Sequence, residues 1–483
     1  MSSRNPRSLN EDIALWASTY RDDALPGPVA ESTKLRVVDI VGCMLAAIGH
    51  PDVIGANGAA CEAFPGAQTR SIPFANGTSI AGAALVNGTA ALVLEFDDSH
   101  LESALHSSSP VIAAALPIAH VYGCHGRKFI TAVAIGNEIA CRLGLAAPGK
   151  FHQNGFHPTG IFGTFGAIHA AARCLSFDTS TTMDAAGIGG SLASALMASW
   201  EDGSAAKSLH AGFSALSAVN AAFCARNGIS GPKGVFDGRL GFFKAHVQDD
   251  GYSFAFSRVT ERIGDDWEAL KIAPKAYPCG HYIQPLIDAA LSLRHRYGIK
   301  PDQIASISCW MPAHVIPLVA EPTAEKRRPN TSFHGRFSLQ HSMAEAMVQG
   351  TLDKNSFDTA NLTDPQFNGL ADKVRVFVDP RMTDRSELGG RVEIELSDAR
   401  KVAFAVDHML GMPQNPMTAD DIMRKFRSNV GDLLTDAKRD RIADMIMSLD
   451  RMNDLQALMT ELGWPGHAAV GQHVPAPQRQ DHL

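Results

Sequence analysis

Acidic side chains and imidazoles are concentrated in one short stretch of this chain, residues 95–106, with the sequence EFDDSHLESALH. The stretch lies between two apolar helical patterns, so a plain solvated loop is a poor description of it. Buried carboxylates beside imidazoles need partners, and the pairing shifts the pKa of both kinds of group. The composition of residues 95–106 therefore favours acid–base chemistry on a bound small molecule.

Helix capping and metal binding also stay open for residues 95–106 on sequence grounds. The side chains of Asp97, Asp98 or Ser99 could accept backbone amides and cap a helix. Aspartate and histidine are also ligands of divalent ions, although no His-Glu-x-x-His motif or paired Cys/His spacing occurs elsewhere in the chain. Capping, metal binding and acid–base chemistry are the three alternatives.

A second candidate is His157, in the segment NGFHPTG at residues 154–160. Pro158 keeps His157 out of the helical region and places it at the start of a helix. The first amides and the positive end of that helix attract an anion such as a carboxylate. The alternative is an Asn-Gly turn with a histidine that is satisfied by hydrogen bonds.

Three basic segments supply the positive charge that an acidic protein needs in order to bind an acidic metabolite. Lys207 opens KSLHAG, where surrounding Ala, Ser and Gly predict a partly desolvated ammonium with a lowered pKa. Lys275 and His281 flank a rigid Pro-Cys-Gly turn, and Arg336 precedes a helix that contains His341. Arginine can grip a carboxylate in a bidentate manner. The alternatives are an exposed first-turn lysine and ordinary structural residues.

The elements that must position these residues are mostly helices. Apolar residues recur three and four apart in the first half of the chain, which is the helical period. Their Ala-, Gly- and Ser-rich composition predicts close helix packing with buried central helices. The predicted helices are 32–48, 80–94, 130–145, 160–175, 182–197 and 206–226.

The pattern changes near residue 272. Strand-like runs occur at 304–310, 374–378, 391–396 and 401–406, with helical patterns at 283–297 and 337–348, and helices return at 419–428, 436–448 and 455–462. This order predicts a mainly α protein, in which a smaller α+β domain is inserted into a large helical one. The predicted bounds are 1–270 and 411–464 for the helical domain, 271–410 for the α+β lid, and 465–483 for a mobile tail.

Composition excludes several classes of function. The formal net charge of −7 gives no overall positive field for nucleic acid or anionic membrane. The start of the chain is polar, no apolar run reaches membrane-spanning length, and the eight cysteines form no Cys-x-x-Cys pair. We therefore expect a cytoplasmic protein without nucleic-acid or membrane partners.

Taken together and in this order, the segments resemble the MmgE/PrpD family, which contains 2-methylcitrate dehydratase, cis-aconitate decarboxylase and iminodisuccinate epimerase. The resemblance extends from about Leu9 to Leu462 and is most specific at residues 95–106, 156–160, 207–212 and 275–279. It implies a large helical domain with a smaller α+β lid, a homodimer, and no requirement for a metal or an organic cofactor.

The resemblance also implies roles for individual residues. The catalytic set that it implies is Asp97, Asp98, His106, His157 and Lys207. The substrate-binding set is Ser99, Lys275, His281, Arg336 and His341. Ser107 follows the first histidine where the family often has proline, and Gln284 stands where the hinge motif usually has histidine.

The reactions of the family share one step, which is proton movement at a carbon beside a carboxylate. We expect His106 and His157 to act as acid and base, with Lys207, Lys275 and Arg336 holding the carboxylates of a small polycarboxylate. The sequence favours dehydration of a citrate-like hydroxy acid. The alternatives are decarboxylation of a cis-aconitate-like acid and epimerisation by proton abstraction.

Overall fold

The computed structural model describes residues 7–72, 74, 76–382 and 388–463, and the predicted tail at 465–483 lies outside them. Most of the described residues are helical, which confirms the prediction of a mainly α protein. The helices of the first part are α1 (Leu9–Thr19), α2 (Gly27–Ala46), α3 (Pro51–Ala63), α4 (Ile80–Leu92), α5 (Ser108–Val121), α6 (Gly126–Leu145), α7 (Lys150–Gln153), α8 (Pro158–Cys174), α9 (Thr179–Gly189), α10 (Ser199–Asp202), α11 (His210–Arg226), α12 (Phe242–Val247) and α13 (Ser257–Thr260).

The central helices pack closely because small residues meet at their crossings. A Cβ atom on Gly212 of α11 would lie 2.4 Å from the Leu85 carbonyl oxygen of α4, and one on Gly166 of α8 would lie 2.5 Å from the Gly136 oxygen of α6. Residues 108–119 of α5 are all buried between these neighbours. Helices α4, α5, α8 and α11 therefore form the buried centre of the bundle.

One predicted helix is too long. The pattern at 182–197 predicts a helix to residue 197, but α9 ends at Gly189, and residues 190–198 form turns and an isolated bridge. Glycines at 187, 189 and 190 weaken the helix, because glycine loses more backbone entropy than other residues. Residues 190–198 instead contact the start of α8, where the His157 amide donates to the Ala195 oxygen at 3.0 Å.

Four strands of two residues each form two antiparallel pairs. They are β1 (Thr69–Arg70), β2 (Gly77–Thr78), β3 (Ser99–His100) and β4 (Ile272–Ala273). Strand β3 pairs with β4 in antiparallel register, with Ser99 opposite Ala273. Continued by two residues, this register places Asp97 opposite Lys275.

The remaining part of the chain contains a four-stranded sheet. Its elements are α14 (Gln284–Tyr297), β5 (Ile304–Met311), α15 (Ile316–Val319), α16 (Thr323–Arg327), α17 (Ser332–Arg336), α18 (Leu339–Gln349), α19 (Thr359–Thr363), α20 (Pro365–Ala371), β6 (Val374–Val378), β7 (Gly390–Leu396) and β8 (Lys401–Val406). The strand order is β6-β5-β7-β8, with β5 and β6 parallel and the other pairs antiparallel. Helices α14 and α18 pack against this sheet.

Three more helices, α21 (Ala419–Val430), α22 (Asp436–Met447) and α23 (Gln456–Glu461), return to the first unit, where α21 and α22 pack on α2. One large apolar cluster joins residues 9–272 with 422–462, and a second one lies within 279–406. These clusters support the domain bounds at 271 and 410, which stay a prediction.

Within the described residues, no single helix is long and apolar enough to cross a membrane. Only the pair Gly27–Ala46 and Pro51–Ala63, bent by 92°, has the length and apolarity of a span when joined.

Candidate active site

We refer to the part of the chain built on the first apolar cluster, residues 9–272 and 422–462, as the helical unit, and to the part built on the second cluster, residues 279–406, as the sheet-containing unit. A cavity lies where these two units meet, and we refer to it as the central cavity. Its polar lining residues are Glu95, His106, His152, His157, Lys207, Lys275 and His281. Its remaining walls are Ala104, Trp200, Gly280, Tyr282 and Phe337. Five of the ten residues predicted to form the site, at positions 106, 157, 207, 275 and 281, therefore line one cavity.

The orientation of the His106 ring is fixed by several oxygen atoms around Nδ1. Nδ1 lies 2.9 Å from the Asp98 carbonyl oxygen, 3.2 Å from Asp97 Oδ1 and 3.2 Å from the Ser99 hydroxyl. Carbonyl and carboxylate oxygens accept hydrogen bonds, so we assign the proton of the neutral ring to Nδ1. These contacts leave Nε2 as the ring nitrogen that can take up or deliver a proton, as acid–base chemistry requires.

The carboxylate of Asp97 is held in its ionised form. Burial alone would raise the pKa of Asp97, but the charge and hydrogen bond of His106, the Lys275 ammonium and the Ser109 hydroxyl together lower that pKa to about 2. Ser109 donates to Asp97 Oδ2 at 2.5 Å. A permanent anion behind Nδ1 can stabilise positive charge that develops on the His106 ring during proton transfer.

Glu95 bridges the two lysines of the cavity. Its Oε1 accepts a hydrogen bond from Lys207 Nζ, and Lys275 Nζ lies 3.5 Å from Oε2 while donating to the Glu95 carbonyl at 3.0 Å. Burial alone would raise the pKa of Glu95, but the charges of Lys207 and Lys275 bring it below its usual value. The residue has a φ of 51°, in the left-handed region that non-glycine residues rarely adopt. This turn directs the chain from the end of α4 into the site.

The ammonium of Lys207 is surrounded by aromatic rings of both units. Its Nζ lies 5.2 Å from the ring centre of Trp200 and 5.0 Å from that of Phe337, close enough for cation–π attraction. Burial lowers the pKa of Lys207 below its usual value, although Glu95 opposes this effect. Only 1% of the side chain is exposed, so its charge acts on the cavity with little screening by water.

The other histidines of the cavity are held in their neutral form. Burial lowers the pKa of His157 and of His281 well below the usual value, with further contributions from the nearby lysines. Burial and Lys207 also lower the pKa of His152 to about 4. His157 is the N-cap residue of α8, directly before Pro158. These rings can exchange or donate a proton without adding a resident charge.

Three predicted residues, Asp97, Asp98 and Ser99, lie behind the residues that line the cavity. Ser99 reaches the site through its contact with His106, and Asp98 contributes its carbonyl oxygen to the same ring. The side chain of Asp98 points elsewhere and lies 3.5 Å from Arg36 Nη1. Burial raises the pKa of Asp98 in spite of Arg36. Direct acid–base work by the Asp98 side chain therefore finds no geometric support.

Arg336 and His341 are not among the residues that line the central cavity. Arg336 donates to the Leu94 oxygen at 3.0 Å and to the Pro278 oxygen at 2.9 Å, so its guanidinium joins the sheet-containing unit to the end of α4. His341 lies in α18, where Nε2 is 3.0 Å from Glu345 Oε1. In this structure Arg336 Nη1 therefore bonds to two backbone oxygens and His341 Nε2 to a glutamate, and the predicted substrate contacts at these two positions stay predictions.

Glu95 and His152 line the cavity although no role is predicted for them from the sequence. Glu95 belongs to the acidic run at 95–106, which is a usable signal. His152 belongs to no motif and lies in the short helix α7. Within the described part of the chain, no group of three or more His, Cys, Asp or Glu side chains is arranged to hold a metal ion.

The central cavity brings together a histidine ring oriented through Nδ1, two buried ammonium groups and further imidazoles. Such an arrangement is suited to moving protons on a small anion. The chain belongs to the MmgE/PrpD family. The model of the MmgE/PrpD N-terminal domain matches residues 11–255, and that of the C-terminal domain matches residues 277–451.

Relatives with a named activity match most of the chain. Cis-aconitate decarboxylase of Aspergillus terreus is 26% identical over 474 residues, which cover 95% of this chain and 96% of the relative. The human cis-aconitate decarboxylase is 27% identical over 410 residues, covering 82% of each chain, and that of Mus musculus is 26% identical over 384 residues, covering 77% and 76%. The prediction that the chain is a lyase of this family is confirmed.

Proposed function

We propose that the protein decarboxylates a cis-aconitate-like acid, an unsaturated tricarboxylate. One observation carries the proposal: the contacts of Nδ1 leave His106 Nε2 free for proton transfer, in a cavity that also contains the ammonium groups of Lys207 and Lys275. The named activity of the relatives supports decarboxylation over dehydration. Dehydration of a citrate-like acid, the first expectation from the sequence, stays unconfirmed.

The proposed reaction needs one proton and stabilisation of negative charge. When the carboxylate on the CH2 carbon leaves as carbon dioxide, its electron pair forms a new terminal double bond. The former double bond shifts its electrons toward the carbon beside another carboxylate, and that carbon then takes a proton. Lys207 and Lys275 would stabilise the resulting enediolate charge, and protonated His106 would deliver the proton from Nε2.

Glu95 sets the charge balance in this scheme. It uses one of the three ammonium protons of Lys207, which leaves donors for a substrate carboxylate. We propose that Lys207 and Lys275 hold two of the three carboxylates of the substrate. Glu95 would keep the two ammonium groups in place before the substrate binds. His281 and His157 would complete the polar contacts as neutral groups.

We propose that the sheet-containing unit serves as a lid. Gly280, His281, Tyr282 and Phe337 contribute one side of the central cavity, and Arg336 ties the same unit to the end of α4. Separation of the two units would admit the substrate, and their closure would exclude water from the developing charge. The homodimer and the absence of a cofactor requirement stay predictions.

A direct assay distinguishes the three candidate reactions. The purified protein is incubated in deuterated water with cis-aconitate, with citrate and with a chiral dicarboxylate, and proton NMR spectra are recorded over time. Decarboxylation predicts release of carbon dioxide and a new terminal methylene signal, with one deuterium at the protonated carbon. Water loss from citrate would favour dehydration, and deuterium exchange without a change of skeleton would favour epimerisation. Either of these results, without carbon dioxide release, overturns the proposal.

A further inference from the structure

Two imidazoles separate the central cavity from a second depression at the surface. His157 lines the central cavity, and His210 lines a surface groove together with Leu192, Leu196, Phe213 and Ser217. The two rings are joined by a hydrogen bond between their Nδ1 atoms of 2.9 Å. Leu196 and Phe213 are 58% and 47% exposed, so the groove is open to solvent in this chain.

The pair has the connections that proton transfer requires. Imidazole can take a proton at one ring nitrogen and release one from the other. His157 Nδ1 faces His210, while its Nε2 lies 3.2 Å from the Thr159 hydroxyl, which also accepts the His106 amide at 3.0 Å. The ring centres of His106 and His157 are 5.9 Å apart. His157 therefore lies between His106 and His210.

Both rings of the pair are held neutral, which suits a relay. Burial, Lys207 and His210 lower the pKa of His157 well below its usual value. Burial and the charge of Lys207 lower the pKa of His210 to about 4, against a smaller opposing effect of Glu95. A proton arriving at one ring is consequently passed on rather than retained.

We infer that His157 and His210 carry protons between the surface groove and the central cavity. The inference rests on the proposed function, since loss of carbon dioxide from a polycarboxylate consumes one proton in every turnover. A proton from solvent or from a buffer acid binds His210 Nε2, the Nδ1 proton of His210 crosses to His157 Nδ1, and the Nε2 proton of His157 enters the cavity. There it restores His106, which has given its own proton to the product. Exchange of tautomers then resets the pair.

The test removes the relay and keeps the hydrogen bond. In His210→Asn, the side-chain amide can still bond to His157 Nδ1 but cannot pass a proton. We expect kcat at low buffer concentration to fall by about a hundredfold, the lower end of the range for proton-transfer groups, with KM unchanged. Added imidazole, at constant pH and ionic strength, should restore kcat in a saturable manner.

A matched control is His125→Asn. His125 caps α6 through a bond from the Lys128 amide of 3.1 Å, and asparagine caps helices well. This variant should keep the kcat of the unchanged protein and show no dependence on imidazole. For His210→Asn, an unchanged kcat overturns the relay, and so does a loss that imidazole does not restore, because both results leave His210 with a structural role at most.

A second measurement does not depend on folding of a variant or on turnover. In unchanged protein labelled with 15N-histidine, a proton shared between the two Nδ1 atoms gives a scalar coupling across the hydrogen bond. Absence of that coupling overturns the inference. Failure of the unchanged protein to release carbon dioxide from cis-aconitate would defeat the proposed function alone, since the coupling would still be measured.

Discussion

At the scale of single residues, the site is defined by how its charges are paired. Lys275 is fully buried, and its ammonium is placed among Glu95 Oε2, the Glu95 carbonyl and Asp97. Removal of one member of a buried pair leaves an uncompensated charge, which costs about 3–5 kcal/mol. The groups proposed to bind the substrate therefore also stabilise the fold. Loss of activity in a lysine variant would not by itself identify a catalytic role.

His106 and His100 provide a cleaner comparison, because both lie in the same motif. His106→Asn should lower kcat by about a hundredfold to ten-thousandfold, since the group that delivers the proton from Nε2 is lost. His100 instead bonds to Ser103 at 2.5 Å and to Glu268 at 3.2 Å. His100→Asn should lower the free energy of unfolding by about 1–3 kcal/mol and keep kcat per folded molecule. Turnover assays and chemical denaturation of both variants measure the two effects, and equal losses of kcat would contradict the assignment.

The sequence predicts which residues meet in the cavity more successfully than it predicts their individual contacts. The residues at positions 106, 157, 207, 275 and 281 reach the cavity. They could be predicted because each lies in a segment with an unusual combination of residues. Glu95 has no predicted role, because its left-handed backbone, which turns it toward the lysines, has no signature in the residue types. Arg336 is expected at a carboxylate, but in this structure its Nη1 bonds to backbone oxygens of two distant segments. Such partners are set by tertiary structure and cannot be inferred from spacing.

At the scale of elements, two contacts bring the charged groups together. The register of β3 with β4 places Lys275 opposite Asp97, and the crossing of α4 with α11 brings the chain after α4 close to Lys207. Helical periodicity predicts α4 and α11 closely. The pairing of β3 with β4 cannot be predicted, because two-residue strands are too short to show an alternating pattern. The predicted end of the helix at 182–197 is wrong for a related reason. Residues 190–198 contact the start of α8 through the Ala195 oxygen, and residue spacing does not show that contact.

The crossing of α4 and α11 can be tested with one methyl group. Gly212→Ala would place a Cβ atom 2.4 Å from the Leu85 oxygen and 2.5 Å from the Thr89 hydroxyl. The helices must separate, which should cost roughly 1–3 kcal/mol of stability and lower kcat/KM by moving Lys207 away from Glu95. Thermal unfolding and turnover assays measure both effects.

The matched control for this crossing is Gly58→Ala. Gly58 is an exposed residue of α3, and a Cβ atom there would have no heavy atom within 4 Å. The substitution should raise stability by up to about 1 kcal/mol, because alanine loses less backbone entropy in a helix, and should leave activity unchanged. Tolerance of Gly212→Ala as complete as that of Gly58→Ala would show that the crossing does not position the site.

At the scale of the whole molecule, buried neutral histidines couple stability to pH. His152, His157, His169, His210 and His281 all have a pKa lowered by burial in the folded protein. In the unfolded chain each would be protonated near its ordinary value of about 6.5. The unfolded state therefore binds more protons below that value. Stability is fully present above pH 6.5 and is lost as the pH falls toward the folded pKa values.

His169 isolates this effect from the chemistry of the site. It is buried in α8, its Nδ1 lies 2.8 Å from the Phe165 oxygen, and burial lowers its pKa to about 4. Between pH 6.5 and 4 it should account for a loss of about 3 kcal/mol in the free energy of unfolding, or about 1.4 kcal/mol per pH unit. In His169→Leu that slope should decrease by the contribution of one proton, while above pH 7 the two proteins should respond to pH in parallel. Chemical denaturation from pH 4.5 to 8 measures both slopes, and an unchanged slope in the variant would show that His169 does not remain neutral in the folded state.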